Sequence, residues 1–282
     1  MQTFDSVASA KAWDAGAHGW NRHSHIIHTW LEEATAAMLD SARIAQGRKV
    51  LDIAAGAGDQ TLDIARRVGP QGHVLATDIS ATILLLAAEN ARAASLGNVA
   101  TQVADAQALG LSGANFDAAV CRLGLMFCHA PLDALTQARA ALRPGGRFSA
   151  VVFSQPQHNP CIGLMMSTAL RHAGLPPRSP YSPGSLLSLG ESGLLASLLQ
   201  TAGFIGIEVH AIAAPFRLPT SRDYVDFVRT SGTPIMEILA TLPPAAQRDA
   251  WDDMTEQLDV FATPTGWVGP NELLLCGATA PT

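Results

Sequence analysis

Residues 50–61, VLDIAAGAGDQT, set an apolar run ending near Asp52 directly ahead of Gly56-Ala57-Gly58 and a helix-forming stretch. Glycines at such a turn let the backbone come close to a ligand and leave the amides of a helix N-terminus open to it. A bare strand-to-helix turn uses the same residues, so the neighbours must decide. The dinucleotide fingerprint wants a third glycine where Thr61 stands. Asp52 lies where such a site places pyrophosphate, which a carboxylate repels, whereas a cationic sulfonium and its ammonium group tolerate nearby negative charge. Asp78 closes the next apolar run, a position from which an acid accepts hydrogen bonds from ribose hydroxyls. Its other use would be to cap the following helix, a task Ser80 can fill. A third acid, Asp105, follows the third run; with the Ala106 amide it reads the edge of a base, or it forms a turn.

These residues need a frame that brings three strand ends together. Strands are expected at 49–54, 73–78, 98–103, 116–121 and 147–154, with helices near 60–68, 80–95 and 131–142. Strands apolar throughout and separated by helices imply a parallel sheet covered on both faces. The expected fold is therefore α/β: a doubly wound, mostly parallel, seven-stranded Rossmann-like sheet with a helical N-terminal cap and a helical insertion or lid. Residues 1–48 form the cap, with Trp13 and Trp20 ahead of its helix, and 49–154 the cofactor-binding core. Residues 155–203 are the insertion and a helix, proline-rich over 155–190 and expected to be mobile. Residues 204–282 return to the sheet, with strands at 205–213 and 272–278 as an antiparallel edge around helices near 221–231 and 244–260.

With 282 residues, 48% hydrophobic and 15% charged, the chain can bury one large domain. Its net charge is −6 and its basic residues are scattered, which argues against a nucleic-acid partner. Uncharged apolar runs are too short to span a membrane, and no secretory signal is read at the start. Four cysteines without CxxC spacing fit a reducing cytoplasm. Cys121 and Cys276 fall in apolar runs, where cysteine acts as a small hydrophobe. His25 and His28 lack the partners of a metal site, so no metal is expected.

The segment VLDIAAGAGD resembles the first motif of the class I S-adenosylmethionine (SAM) dependent methyltransferases, with Ala54 where many members carry glycine. TDIS (77–80) and ADAQAL (104–109) are similar to the ribose- and adenine-binding motifs. RLGLMF (122–127) and LRPGG (142–146) resemble the segments after strand four and before strand five. The resemblance spans roughly residues 45–155 and is loosely to the ubiquinone/menaquinone C-methyltransferase-like group. Gly124-Leu125-Met126-Phe127 departs from the Gly-Leu-Arg-Asn type run of the quinone enzymes.

The resemblance implies SAM as cofactor, contacted by Asp52, Ala54, Gly56, Gly58, Asp78, Ile79, Asp105, Ala106, Cys121, Arg122 and Trp20. Arg122 either clamps a carboxylate with its planar fork or pairs with a nearby acid. Trp20 either lies over the sulfonium or pins its helix to the core. His129 and His158 are the candidates for a general base at the strand ends. The expected activity is methyl transfer from SAM to a small-molecule acceptor, on oxygen, nitrogen or carbon. The alternatives are a non-methylating reaction of a SAM-binding enzyme of this fold, such as a cyclisation, or an NAD-linked oxidoreductase. Oligomeric state stays open, a homodimer included.

Overall fold

Two helices lead the chain in the computed structural model, which describes residues 6–282. Helix α1 (Ser6–Arg22) and helix α2 (Ser24–Ser41) are separated at His23. Trp13 and Trp20 lie within α1, not ahead of a helix. Helix α2 buries Ile27, Leu31, Ala34, Thr35 and Met38, a spacing of three and four that gives one apolar stripe toward the sheet.

The alternation that follows is β1 (Lys49–Ile53), α3 (Asp59–Val68), β2 (His73–Asp78), α4 (Ala81–Ala93), β3 (Val99–Val103), β4 (Phe116–Arg122), α5 (Pro131–Ala141) and β5 (Leu142–Phe153). All seven residues of β4 except Asp117 are buried, as are Val50 to Ile53 of β1. Full burial of each large apolar side chain contributes about 1.5–3 kcal/mol. Strand β5 begins earlier than expected. Its Arg143-Pro144-Gly145-Gly146 run falls in an irregularity, with Phe116 opposite Leu142 but Ala118 opposite Arg147.

Beyond β5 come α6 (Pro160–His172), α7 (Leu194–Thr201), β6 (Ile205–Ala213), β7 (Phe216–Leu218), α8 (Ser221–Ser231), α9 (Thr233–Leu239), α10 (Pro244–Leu258), β8 (Ala262–Thr263), β9 (Gly266–Gly269) and β10 (Glu272–Thr279). Seven strands form one sheet in the order β3-β2-β1-β4-β5-β10-β6. The first five run parallel; β10 is antiparallel to both β5 and β6, so the reversed strand lies one place inside the edge. A second antiparallel sheet, β7-β9-β8, was not expected: strands of two to four residues show no readable alternation.

The chain leaves β1 toward β2 on one side, and β4 flanks it on the other, so the strand order reverses there. Ligands of open α/β sheets bind outside the strand C-termini at such a point. The proline-rich segment is only partly loop-like. Helix α6 buries Cys161, Met165 and Ala169, and the Ser188 hydroxyl donates to the Met126 carbonyl at 2.7 Å. That leaves about 175–185 as irregular, largely solvent-facing chain. No described helix is long and apolar enough to cross a membrane.

Candidate active site

The turn after β1 is built from left-handed residues. Ala54 has φ +55°, Gly56 +58° and Gly58 +90°. Ala54 takes a conformation that costs an L-residue about 1–2 kcal/mol, which glycine would avoid. Room for its methyl group comes from across the crevice: a Cβ on Gly124 would lie 2.3 Å from the Ala54 Cβ. Leu123, just beyond β4, is also left-handed at φ +55°. Backbone strain thus sits on both walls of the crevice, where ligand sites concentrate it.

Asp78 ties the strand ends together. Its carboxylate accepts from the Gly56 amide and the Ser80 amide, each at 3.0 Å. Burial pushes its pKa up, partly offset by those backbone hydrogen bonds. The Ser80 hydroxyl caps α4 by accepting from the Ile83 amide at 3.1 Å, so Asp78 is not needed as the cap. Ser80 in turn donates to Asp14 of α1 at 2.5 Å. Sequence reasoning missed Asp14, since nothing local marks a residue of one helix as the brace of another.

Asp105 accepts from the Gln107 amide at 2.9 Å and so starts a short 3₁₀ turn. The Gln107 side-chain oxygen takes the Ala130 amide at 2.8 Å, which fixes this turn against the start of α5. Together with Ala54, Gly56, Ile79, Ala106, Arg122 and Trp20, Asp78 and Asp105 line one cavity of about 580 Å³. That volume lies in the range of about 300–1,000 Å³ usual for small-molecule sites.

Several expected residues are placed elsewhere. Asp52 is fully buried and does not line the cavity; it accepts from Thr61 Oγ1 at 2.6 Å and Gln60 Nε2 at 3.2 Å. It therefore holds the first turn of α3, and only Gln60 reaches the cavity. Burial raises its pKa to about 6. Cys121 is sealed inside β4, away from the cavity, because its side chain points into the sheet core; burial raises its thiol far above the ordinary range. Gly58 is not on the cavity wall either. It initiates α3, and a Cβ there would meet the Ala87 Cβ at 3.1 Å.

His129 and His158 do not line this cavity. His129 sits against Gly184, and His158 is turned toward Glu272, with Nδ1 2.5 Å from Oε1. Both are drawn off by loops and by β10, which the strand-end argument could not place.

Arg122 is buried and already paired: Nη2 donates to Asp59 Oδ2 at 2.7 Å and Nη1 to Thr35 Oγ1 at 2.7 Å. The other oxygen of Asp59 meets His28 Nδ1 at 3.0 Å. Asp59 and His28, neither expected at the site, both line the cavity. Of the cavity acids, Asp59 pairs with Arg122 and Asp63 with Arg66, whereas Asp78 and Asp105 take hydrogen bonds from backbone and amide N–H groups. That balance suits a cation-bearing nucleoside better than a pyrophosphate, and the residues present fit SAM. Among the described residues no cluster could hold a metal ion.

Residues 50–146 match the family model for the methyltransferase domain. The ubiquinone/menaquinone biosynthesis C-methyltransferase UbiE of Erwinia tasmaniensis is 35% identical over 123 residues, covering 43% of this chain and 49% of that protein. The Pasteurella multocida protein of the same name is 36% identical, with 43% and 46% covered. The chain thus spans about half the length of the curated relatives it matches. Among solved structures, YcgJ of Bacillus subtilis superposes with TM-score 0.60 at 15% identity, covering 89% of this chain and 99% of that one. The [4+2]-cyclase SpnF gives TM-score 0.57 at 17% identity, covering 94% and 95%. The phosphoethanolamine N-methyltransferase 2 of Haemonchus contortus, solved with SAM, gives 0.57 at 15%, covering 93% and 57%. At these identities the structures establish the fold. The matched segment is a methyltransferase domain, loosely similar in sequence to the ubiquinone/menaquinone C-methyltransferases.

Proposed function

We propose that the protein transfers the methyl group of SAM to a small-molecule acceptor. The observation that carries this is the cavity at the β1/β4 switch point, walled by the Gly56 turn, Asp78 and the Asp105–Gln107 turn. In this reading Asp78 accepts from the ribose hydroxyls while holding the Gly56 amide. Asp105, Ala106 and Gln107 read the adenine edge, and Ala54, Ile79 and the Gly56 backbone close around the nucleoside and the methionine arm. Arg122 acts through Asp59, fixing the first turn of α3 and with it His28. The Trp20 ring, with Trp13 at 6.4 Å between centroids, offers an aromatic face to a sulfonium.

When bound, the cofactor supplies an electrophilic methyl group, taken by an electron pair of the acceptor while the carbon–sulfur pair remains on sulfur. The chain's own part is positioning and exclusion of water. With His129 and His158 off the cavity, the reading assigns no general base to them. Of the histidines, His25 and His28 line the cavity and are the imidazoles placed to take a proton there. The matched relatives, named as C-methyltransferases, support carbon over oxygen or nitrogen.

A second reading, a non-methylating reaction, draws support from the fold shared with a [4+2]-cyclase. Incubation with SAM and a small-metabolite extract separates the two. Stoichiometric S-adenosylhomocysteine supports methyl transfer; conversion of an extract component with SAM unconsumed overturns it.

A further inference from the structure

Strand β6 closes the seven-stranded sheet on the side beyond β5 and β10, and among the described residues only β10 pairs with it. An antiparallel strand gives the N–H and C=O groups of alternate residues to one neighbour. The other half of the β6 backbone groups therefore points outward, and no described residue bonds to them. Six of the nine residues are exposed, Ile205 by 54%. Such an edge is a template for a further strand, which proteins blunt with lysine, proline, a bulge or a covering element. Strand β6 has no lysine and no proline. Its one bulge, where Gly206 takes φ +58° and the register with β10 slips, bends only the start of the strand. The opposite edge, β3, is only five residues long. Glu208 and His210 share the face of β6 that follows Gly277 and Leu275 of β10. Neither makes a hydrogen bond or ion pair to a described residue. Arg147, on the same face, is spent on the Ser41 carbonyl at 3.1 Å and the Thr279 hydroxyl at 2.8 Å.

We propose that β6 pairs antiparallel with β6 of a second copy of this chain, about a two-fold axis through Val209, so that two sheets become one. In such a pairing the residue on the axis meets itself, and residues opposite each other share a face. An axis at Glu208 would set two carboxylates opposite each other, and an axis at His210 would leave each Glu208 opposite an isoleucine. The axis at Val209 instead puts Glu208 against the partner's His210, and symmetry makes that pair twice. Ile207 then meets the partner's Ala211. An imidazole carries an N–H in both of its protonation states, so His210 donates to the carboxylate in either. The pairing satisfies the outward backbone groups and uses up the edge, which stops assembly at two copies. The bulge at Gly206 confines the new ladder to 207–211 of each copy. So small an interface belongs to the weak class, with a dissociation constant of about 1–100 µM. No residue of β6 lines the cofactor cavity, and the proposal stands apart from the methyltransferase reading.

Sedimentation velocity of the full chain, from roughly 1 to 300 µM, reads monomer and dimer directly. The expected result is a monomer–dimer equilibrium with no larger species. His210→Glu sets like charges opposite each other at both pairs and should weaken the dimer at least about fivefold. Combining it with Glu208→His exchanges the two groups and restores both pairs, so the dissociation constant should return to within about threefold of the parent. Glu208 and His210 are both exposed in the single chain, so these variants keep the fold, which circular dichroism checks. A monomer throughout the range, growth into larger species, a dimer indifferent to His210→Glu, or a double exchange as weak as the single one overturns the proposal.

Discussion

Replacing Asp52 with asparagine isolates the energetic cost of a carboxylate sealed behind the glycine turn. Asp52 is fully buried; burial raises its pKa, and the donors Thr61 and Gln60 offset only part of that, leaving it at about 6 against 3.8 for an exposed aspartate. Between those values the folded chain holds a proton that the unfolded chain has released. The stability this gives is fully present below the unfolded pKa and is lost as pH rises through the folded one. Integrated between about pH 4.5 and about pH 7.5, the loss is about 2 kcal/mol, from the linkage of proton binding to folding. The asparagine side chain cannot titrate and keeps one acceptor oxygen. Urea denaturation of both proteins at the two pH values therefore gives the Asp52 contribution as a difference of differences. The wild type should lose about 2 kcal/mol more than Asp52→Asn on going to the higher pH. Parallel changes in the two proteins would mean that Asp52 titrates alike in the folded and unfolded chains, with no pKa raised by burial.

Asp78→Ala should weaken S-adenosylhomocysteine binding by about 1.5–3 kcal/mol, the value of hydrogen bonds to a charged group, as read by calorimetry on a folded variant. Ala54→Gly should raise stability by about 1 kcal/mol in chemical denaturation, since glycine takes the left-handed turn without strain; an unchanged midpoint argues that Ala54 is not strained. Arg122→Ala should destabilise by about 3 kcal/mol, because it leaves Asp59 only His28 as partner in a largely buried setting; a loss under about 1 kcal/mol would show the pair to be solvent-screened. In hydrogen exchange, amides of α6 should be protected without ligand while those of about 175–185 exchange fast, and equal protection of the two would contradict a fixed wall with a short flexible flap.

The parallel half of the sheet was legible because its strands are apolar at nearly every position and its turns carry Gly-Pro or Pro-Gly-Gly. Asp78, Asp105 and the Gly56 turn were legible for the same reason: strand ends are set by the pattern, and a sheet of this kind aligns them. What stayed hidden depends on packing between distant segments. Asp52 reads like a ligand because it stands next to the turn, but the side chain of the penultimate β1 residue points into the sheet–helix layer. Asp59 follows Gly58 as an ordinary first-turn acid, and only the approach of α2 and β4 makes it the partner of His28 and Arg122. His158 follows a strand end as a base would, yet β10 brings Glu272 to it.

Calorimetric titration of the full chain with S-adenosylhomocysteine decides whether the cavity beyond β1 and β4 is a SAM site. One-site binding is expected, with a dissociation constant in the micromolar range, about −7 to −8 kcal/mol. Neither heat nor a thermal shift at roughly millimolar ligand, a binding free energy weaker than about −4 kcal/mol, would contradict it.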